Sequence, residues 1–342
     1  MSNLMEEPAG LQQSAMPCAG ESESTWSVLL AGGNGSRLST LTRRFHSDAR
    51  PKQFATLIGT RSMLQHTYER ALWHSPPERI LAVITEGQQR WAFSQLPDVP
   101  TRNFIVQPQN RDTGPAICLA VAHVMGIEPQ ASVVIFPTDH FIYPEKSLRE
   151  NIDRVLPLLN GYITMSAVLL GAQPSGPSTG LGWIQRGKEV RAEGSPRLCQ
   201  VDRFIEKPRL EIAKRLYQDG ALWNTFILAG KASRLWYLLW KRMPETMACV
   251  SAYSKEVRQD GWNSRLADLF ADVVPFNFST QVLQREPREL LVTPLEGVTW
   301  NDWGTVEGVR DTLEVMGWQD RIPERVFEGG TLVSAAAGRT FA

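Results

Sequence analysis

Short, unbroken apolar runs alternate with helical stretches through the first part of this chain, and this alternation limits the fold more than any other feature. Trp26–Gly32, Arg79–Thr85, Asn103–Pro108 and Ala131–Ile142 read as strands. Ser62–His74 and Thr113–Gly126 read as helices. Ser62 followed by Gln65 fits a capping box, in which serine takes an orphan N–H and glutamine reaches back. The second helix is predicted to start at a Thr113 cap with an early Pro115 and to close at Gly126. Strands that are apolar throughout, separated by helices, imply a parallel sheet covered on both faces. Ligands of such sheets bind outside the carboxyl ends of the strands. One strand ends at Gly32 and another near Asp139, so both are expected to face one crevice.

The second half is more mixed. Tyr162–Pro174, Gly180–Gly187, Cys199–Pro208 and Ala221–Gly230 read as strands, Arg209–Gly220 and Ala232–Lys241 as helices. This half is expected to extend the sheet and cover the crevice. No repeat and no sharp linker divides the chain. With 342 residues it is long enough for a sizeable core. Residues 1–25 read as a mobile tail, 26–318 as the folded domain and 319–342 as a short C-terminal tail. Lys+Arg and Asp+Glu are both 36, so no global basic field argues for nucleic acid or an anionic membrane. No run of about 18 apolar residues suggests a membrane span. The four cysteines form no CxxC pair, and a reduced, cytoplasmic protein is the simplest reading. None of the five histidines has metal-ligand spacing.

The candidate site starts at Ala31-Gly32-Gly33-Asn34-Gly35-Ser36-Arg37. Glycines allow positive φ and close backbone approach, and successive N–H groups can cradle phosphate. A packing turn is the bland alternative. The spacing is neither the dinucleotide nor the Walker pattern. Arg37 and Lys52 favour phosphate, because each can place a fixed charge beside it. Asp139 ends an apolar strand, where a carboxylate is costly unless paired or bound to a cation. Arg111, Asp112 and Thr113 precede a helix N-terminus, which favours anions, although simple capping explains them equally. Glu206 and Lys207 are adjacent, so on a strand they would point to opposite faces. Arg43, Arg44, Phe45 and His46 read either as a flap over phosphates or as a solvated loop.

Ordered matches then make a resemblance specific. "LLAGGNGSRL", "RPKQF", "QPQNRDTGPAI", "FPTDH", "TGLGWI", "FIEKP", "WN" and "WNDWGT" together resemble the sugar-1-phosphate nucleotidyltransferases, and within them the mannose-1-phosphate guanylyltransferases. The resemblance covers roughly Ser27 to Thr305. It implies a Rossmann-like (GT-A-type) α/β fold with a mixed, mostly parallel sheet flanked by helices and a small sheet extension over the sugar site. It implies GTP and mannose 1-phosphate as substrates, GDP-mannose and pyrophosphate as products, and Mg²⁺ as cofactor. No nucleic-acid or membrane partner follows, and a homodimer is left open.

The same resemblance assigns residues. Arg37, Lys52 and Asp139 would carry catalysis. Gly32, Gly33, Gly35, Ser36, Gln107, Arg111 and Thr113 would hold the nucleotide. Gly182, Glu206, Lys207 and Asn224 would hold the sugar phosphate, and Asp139 and Asp302 the metal. The chain also departs from the pattern. Asp112-Thr113-Gly114 replaces Asn-Thr-Ala, Thr225-Phe226 replaces Ser-Gly, Asn277 replaces an aspartate and Gln107 a glutamate. These changes put the sugar in doubt more than the reaction class. They also motivate an alternative, a non-catalytic nucleotide-sugar-binding regulatory protein, or the same reaction with another sugar or base.

Overall fold

The computed structural model describes residues 24–160, 165, 167–190, 197–258 and 266–328. The tail expected over 1–25 therefore lies almost entirely outside the described residues. In chain order the strands are β1 (Thr25–Leu30), β2 (Ile80–Thr85), β3 (Phe104–Gln107), β4 (Ser132–Pro137), β5 (Phe141–Tyr143), β6 (Ala167–Ala172), β7 (Gly182–Val190), β8 (Leu198–Glu206), β9 (Leu222–Lys231), β10 (Leu290–Pro294) and β11 (Thr299–Asn301). The helices are α1 (Ser39–Phe45), α2 (Met63–Leu72), α3 (Gln89–Gln95), α4 (Thr113–Ile127), α5 (Glu145–Val155), α6 (Leu210–Gln218), α7 (Ala232–Arg242), α8 (Pro244–Glu256), α9 (Leu266–Ala271), α10 (Val306–Met316) and α11 (Glu324–Phe327).

Among the described residues, nine strands form one sheet in the order β3-β2-β1-β4-β9-β6-β10-β8-β7. Side-chain alternation sorts its apolar residues into two cores. Trp26, Val28, Leu81, Val83, Val133 and Ile135 face α4, α7 and α8. Leu29, Ile80, Ala82, Ile84, Val134 and Phe136 face α2, α3, α5 and α6. This period of two is why the central strands are apolar throughout: each face has its own helical layer.

The sheet is mixed, but the expected parallel majority does not hold. β3-β2-β1-β4 are parallel, as are β6 and β10. β9 runs antiparallel to β4, β6 and β7, and β8 runs antiparallel to β7 and β10. The cause is the insertion of β9: it returns after the β7–β8 hairpin and α6 and takes the central place between β4 and β6.

Two smaller features position the site. β5 and β11 pair antiparallel, with Phe141 opposite Asn301. Chain just before β5 is thereby set beside chain just after β11. A third apolar cluster joins Leu38, Leu41, Leu57, Trp303, Val309, Ile322 and Val326. Packing thus continues past residue 318, where the sequence reading closed the domain: Ile322 and Val326 are buried, and residues 329–342 lie outside the described residues. Arg43–Phe45 belong to α1, and Arg44 Nη1 donates to the carbonyls of Val326 (2.6 Å) and Phe327 (3.0 Å). This stretch is neither a flap nor a solvated loop; it ties α1 to α11.

The capping box forms as expected, with Ser62 Oγ accepting from Gln65 N and Gln65 Oε1 accepting from Ser62 N. α4 starts at an Asp112 cap instead of Thr113 and runs through Gly126 to Ile127. Gly126 is therefore not a helix terminator. A Cβ there would collide with the backbone oxygen of Ser254, so the glycine serves close α4–α8 packing.

Candidate active site

The loop after β1 is held from behind by side-chain amides and a hydroxyl. Gln53 Nε2 donates to Ala31 O (2.6 Å) and Gly33 O (2.7 Å), and Gln88 Nε2 to Gly33 O (3.1 Å). Thr85 Oγ1 donates to Gly32 O at 2.9 Å. With its carbonyls tied back, the loop leaves its amide edge for an anion. Gln53 lies next to Lys52 in "PKQF", yet sequence reasoning missed it, because its work is to hold backbone that only the fold brings near. Gly35 sits at φ +58, and a Cβ there would come within 2.5 Å of Lys52 N. Only glycine allows both the turn and the close passage of the Pro51-Lys52 backbone.

Lys52 is the centre of the arrangement. Its side chain is 4% exposed, and Nζ lies 2.9 Å from Asp139 Oδ2. The same ammonium donates to the carbonyls of Asp302 (2.7 Å) and Trp303 (3.1 Å). A buried ammonium is tolerated only with such partners. The β5–β11 pairing explains the convergence: Asp139 and Asp302 flank the two strands that meet at Phe141 and Asn301. Arg37 approaches Asp302 Oδ2 at 3.6 Å. Burial pushes the Asp139 carboxyl up, but Lys52, His140 and Arg37 outweigh it and hold it below the usual carboxylate range.

These residues open into a cleft of about 330 Å³. Gly32, Gly33, Gly35, Arg37, Gln107, Thr113, Asp139, Gly182, Glu206, Lys207, Asn224 and Asp302, all expected from sequence, line it. Ser36 and Lys52 line a smaller adjoining hollow of about 150 Å³, together with Arg37 and Asp139. Arg111 stands apart. Asp112 at φ 69 turns the chain, and Arg111 lies over the Phe270 ring and donates to Ala271 O at 3.3 Å. Gln107 Oε1 is buried in the cleft wall with no hydrogen-bond partner among the described residues.

The far end of the cleft is built by the sheet extension. A Cβ on Gly182 would meet Glu206 Oε2 at 2.6 Å and Asn224 Cβ at 3.3 Å. Phe204 Cζ would lie at 3.1 Å, so the glycine is there because Glu206, Phe204 and Asn224 all crowd it. Burial raises the Glu206 carboxyl above its ordinary value, with Lys207 opposing. Glu206 and Lys207 do not point to opposite faces as expected. β8 ends at Glu206, and Lys207 at φ 46 swings back until Nζ is 3.8 Å from Glu206 Oε1. Phe226, Asn277 and Ser279 line the same end without having been assigned from sequence.

Asp139 and Asp302 supply carboxylate oxygens of the hard kind that Mg²⁺ takes, few enough that substrate phosphates would complete its shell. The donor set therefore fits the cofactor. Elsewhere, His66, Glu69 and Glu145 cluster within 4.8 Å, but Glu69 is paired with Arg61 and Glu145 with Arg70. That cluster is an ion-pair network. It borders a largely apolar cavity of about 470 Å³ that contains none of the residues assigned from sequence.

The nucleotidyl transferase family matches residues 26–315. The xanthan biosynthesis protein XanB of Xanthomonas campestris pv. campestris (strain B100) is 28% identical over 294 residues, covering 84% of this chain and 59% of its own length. The mannose-1-phosphate guanylyltransferase of Escherichia coli (strain K12) is 32% identical over 233 residues, covering 66% of this chain and 47% of its own length. The chain thus spans about half to three-fifths of these relatives. In fold it is similar to the crystal structure of "mannose-1-phosphate geranyltransferase" from Thermus thermophilus, with a TM-score of 0.68 at 23% identity over 82% of this chain and 76% of that one.

Proposed function

This chain belongs to the nucleotidyl transferase family, and we propose that it joins a sugar 1-phosphate to a nucleotidyl group and releases pyrophosphate. The substrates of this reading are mannose 1-phosphate and GTP, and the product is GDP-mannose. One observation carries it: a buried ammonium, Lys52, holds together two carboxylate-bearing segments whose Asp139 and Asp302 line a glycine-rich cleft. A packing turn would not require that assembly, whereas nucleotidyl transfer makes use of fixed charge beside phosphates.

The protein supplies no nucleophile. The sugar phosphate oxygen attacks the α-phosphorus in line, the bond from the α-phosphorus to the α,β-bridging oxygen breaks, and pyrophosphate leaves with that oxygen. The chain's work is positioning and charge stabilisation. The amide edge of Gly32–Ser36 holds the triphosphate, and Arg37 neutralises the leaving group. Lys52 fixes Asp139 and the Asp302 backbone, and offers positive charge near the reacting centre. Gln107 and Thr113 face the nucleotide; Arg111 is left out of this role. Glu206, Lys207 and Asn224 face the sugar phosphate. Asp139 and Asp302 would hold Mg²⁺, which would supply neutralising charge to the substrate phosphates. A cytoplasmic setting belongs to the same reading, in keeping with the unpaired thiols of Cys118, Cys199 and Cys249.

The test is a matrix of nucleoside triphosphates against sugar 1-phosphates with Mg²⁺, read as pyrophosphate release. Release with GTP and mannose 1-phosphate alone supports the narrow reading. Release with another pair keeps the class and changes the substrates. Binding of nucleotide-sugar with no release by any pair favours the regulatory alternative.

A further inference from the structure

Phe226 occupies a backbone position that a bulky residue rarely takes. β9 is regular up to Asn224 and again from Ile227, but its register against β6 slips between Leu170 and Gly171. Thr225 and Phe226 are the extra residues of this bulge. Phe226 has φ 62, where an L side chain crowds its own backbone. Bulges of this kind normally put glycine at the left-handed position. Three hydrogen bonds hold the bulge. Asn224 Oδ1 accepts from Phe226 N at 3.1 Å, Thr225 Oγ1 accepts from Ile227 N at 3.2 Å, and Thr225 Oγ1 donates to Leu170 O at 2.5 Å.

The ring packs against the core under α4, α7 and α8 but is not enclosed by it. Thr225 and Ile227 on either side are fully buried, whereas Phe226 is only partly so. Its ring meets Phe278 edge-on, with centroids 6.1 Å apart, and its other surface lines the cleft. The same cleft is lined by Glu206, Asn224 and Asn277, which are hydrogen-bonding groups. Asn224 Oδ1 is committed to the bulge, so its amide N–H groups are what it offers the cleft. An apolar ring beside a carboxylate and an amide suits a pyranose: C–H bonds lie on the ring, and hydroxyls reach the polar groups. Backbone strain kept at a site wall points to a functional demand on the side chain.

We infer that Phe226 determines which sugar 1-phosphate this site accepts, its ring forming the apolar wall against the C–H face of the sugar. The inference rests on the functional reading above. It concerns selectivity for the acceptor, and predicts no change in how the triphosphate is held.

Phe226→Gly and Phe226→Asn test it. Both residues suit positive φ, so neither variant strains the backbone. Each purified full-length variant is assayed for pyrophosphate release with the sugar 1-phosphate the parent uses best, and titrated with that sugar phosphate by calorimetry. We expect KM and Kd for the sugar phosphate to rise about tenfold in both variants, the scale of one lost aromatic contact. KM for the nucleoside triphosphate should stay within about twofold. Phe226→Tyr should restore parental values. The preference between two epimeric sugar 1-phosphates should also narrow in the glycine variant. Unchanged sugar affinity in both variants, or equal losses for both substrates, would overturn the inference while a working parent leaves the functional reading intact. A parent that releases no pyrophosphate with any pair, and binds no sugar phosphate by calorimetry, would overturn both.

Discussion

Gly33 and Gly35 are two positions apart, yet a methyl group would fare differently on each. At Gly33 a Cβ meets nothing within 4 Å; at Gly35 it would crowd Lys52 N, and φ is +58. Gly35→Ala should cost about 1–2 kcal/mol or more in stability, from the left-handed backbone alone, and should displace Lys52. Gly33→Ala should melt like the parent but bind triphosphate more weakly, because its methyl projects toward the cleft. Thermal melts and nucleotide titrations of the pair check this; equal behaviour would argue against a phosphate cradle. Asp139→Asn should lower turnover on the order of 10²–10³-fold, by analogy with loss of one charge-stabilising contact. Its fold should persist, since Lys52 keeps the carbonyls of Asp302 and Trp303. Parental pyrophosphate release by the folded variant would remove Asp139 from the mechanism. Residues like these were legible in sequence because their types are chemically unusual where they stand. Arg111 was not, because its direction depends on the φ of Asp112, which no local pattern announces.

α4 shows what elements reveal and conceal. Its existence was plain from the apolar run, and its start fell one residue before the expected one, with Asp112 as the cap instead of Thr113. Its end was not plain: Gly126 looks like a stop, but it is a contact surface for α8. The same interface buries His123, whose Nδ1 lies 2.8 Å from Tyr253 Oη. Burial, with Arg102 adding, lowers the His123 pKa to about 4. The unfolded chain titrates its histidines near 6.5, so between about 6.5 and 4 the unfolded state binds the extra proton. Stability from keeping His123 neutral is therefore complete above 6.5 and declines as pH falls toward 4, by at most about 3 kcal/mol. His123→Gln should lack that component. Urea denaturation of both proteins at several pH values across this window would reveal it as a shrinking difference; parallel curves would refute it. The β7–β8 hairpin and the central strands were equally legible. The place of β9 was not, since strand order is decided by long-range pairing that short-range periodicity does not encode.

At the scale of the whole molecule, each of the two carboxylates proposed to hold the metal has a cationic partner within the protein. Lys52 offsets Asp139, and Arg37 offsets Asp302. Removing divalent metal should therefore abolish pyrophosphate release, restored by Mg²⁺, while leaving the melting temperature unchanged. A large fall in melting temperature with chelator would show instead that the aspartates need the metal to stay folded. The central position of β9 has a different consequence, for synthesis. β4 is complete at residue 137, but its partner at that edge, β9, begins at residue 222. Until then a growing chain can pair β1–β4 and pack α4, yet β4 presents a row of unpaired backbone groups on an apolar strand. Such an edge readily recruits another chain. The interval between these two strands is when this protein, leaving the ribosome, has most need of a chaperone.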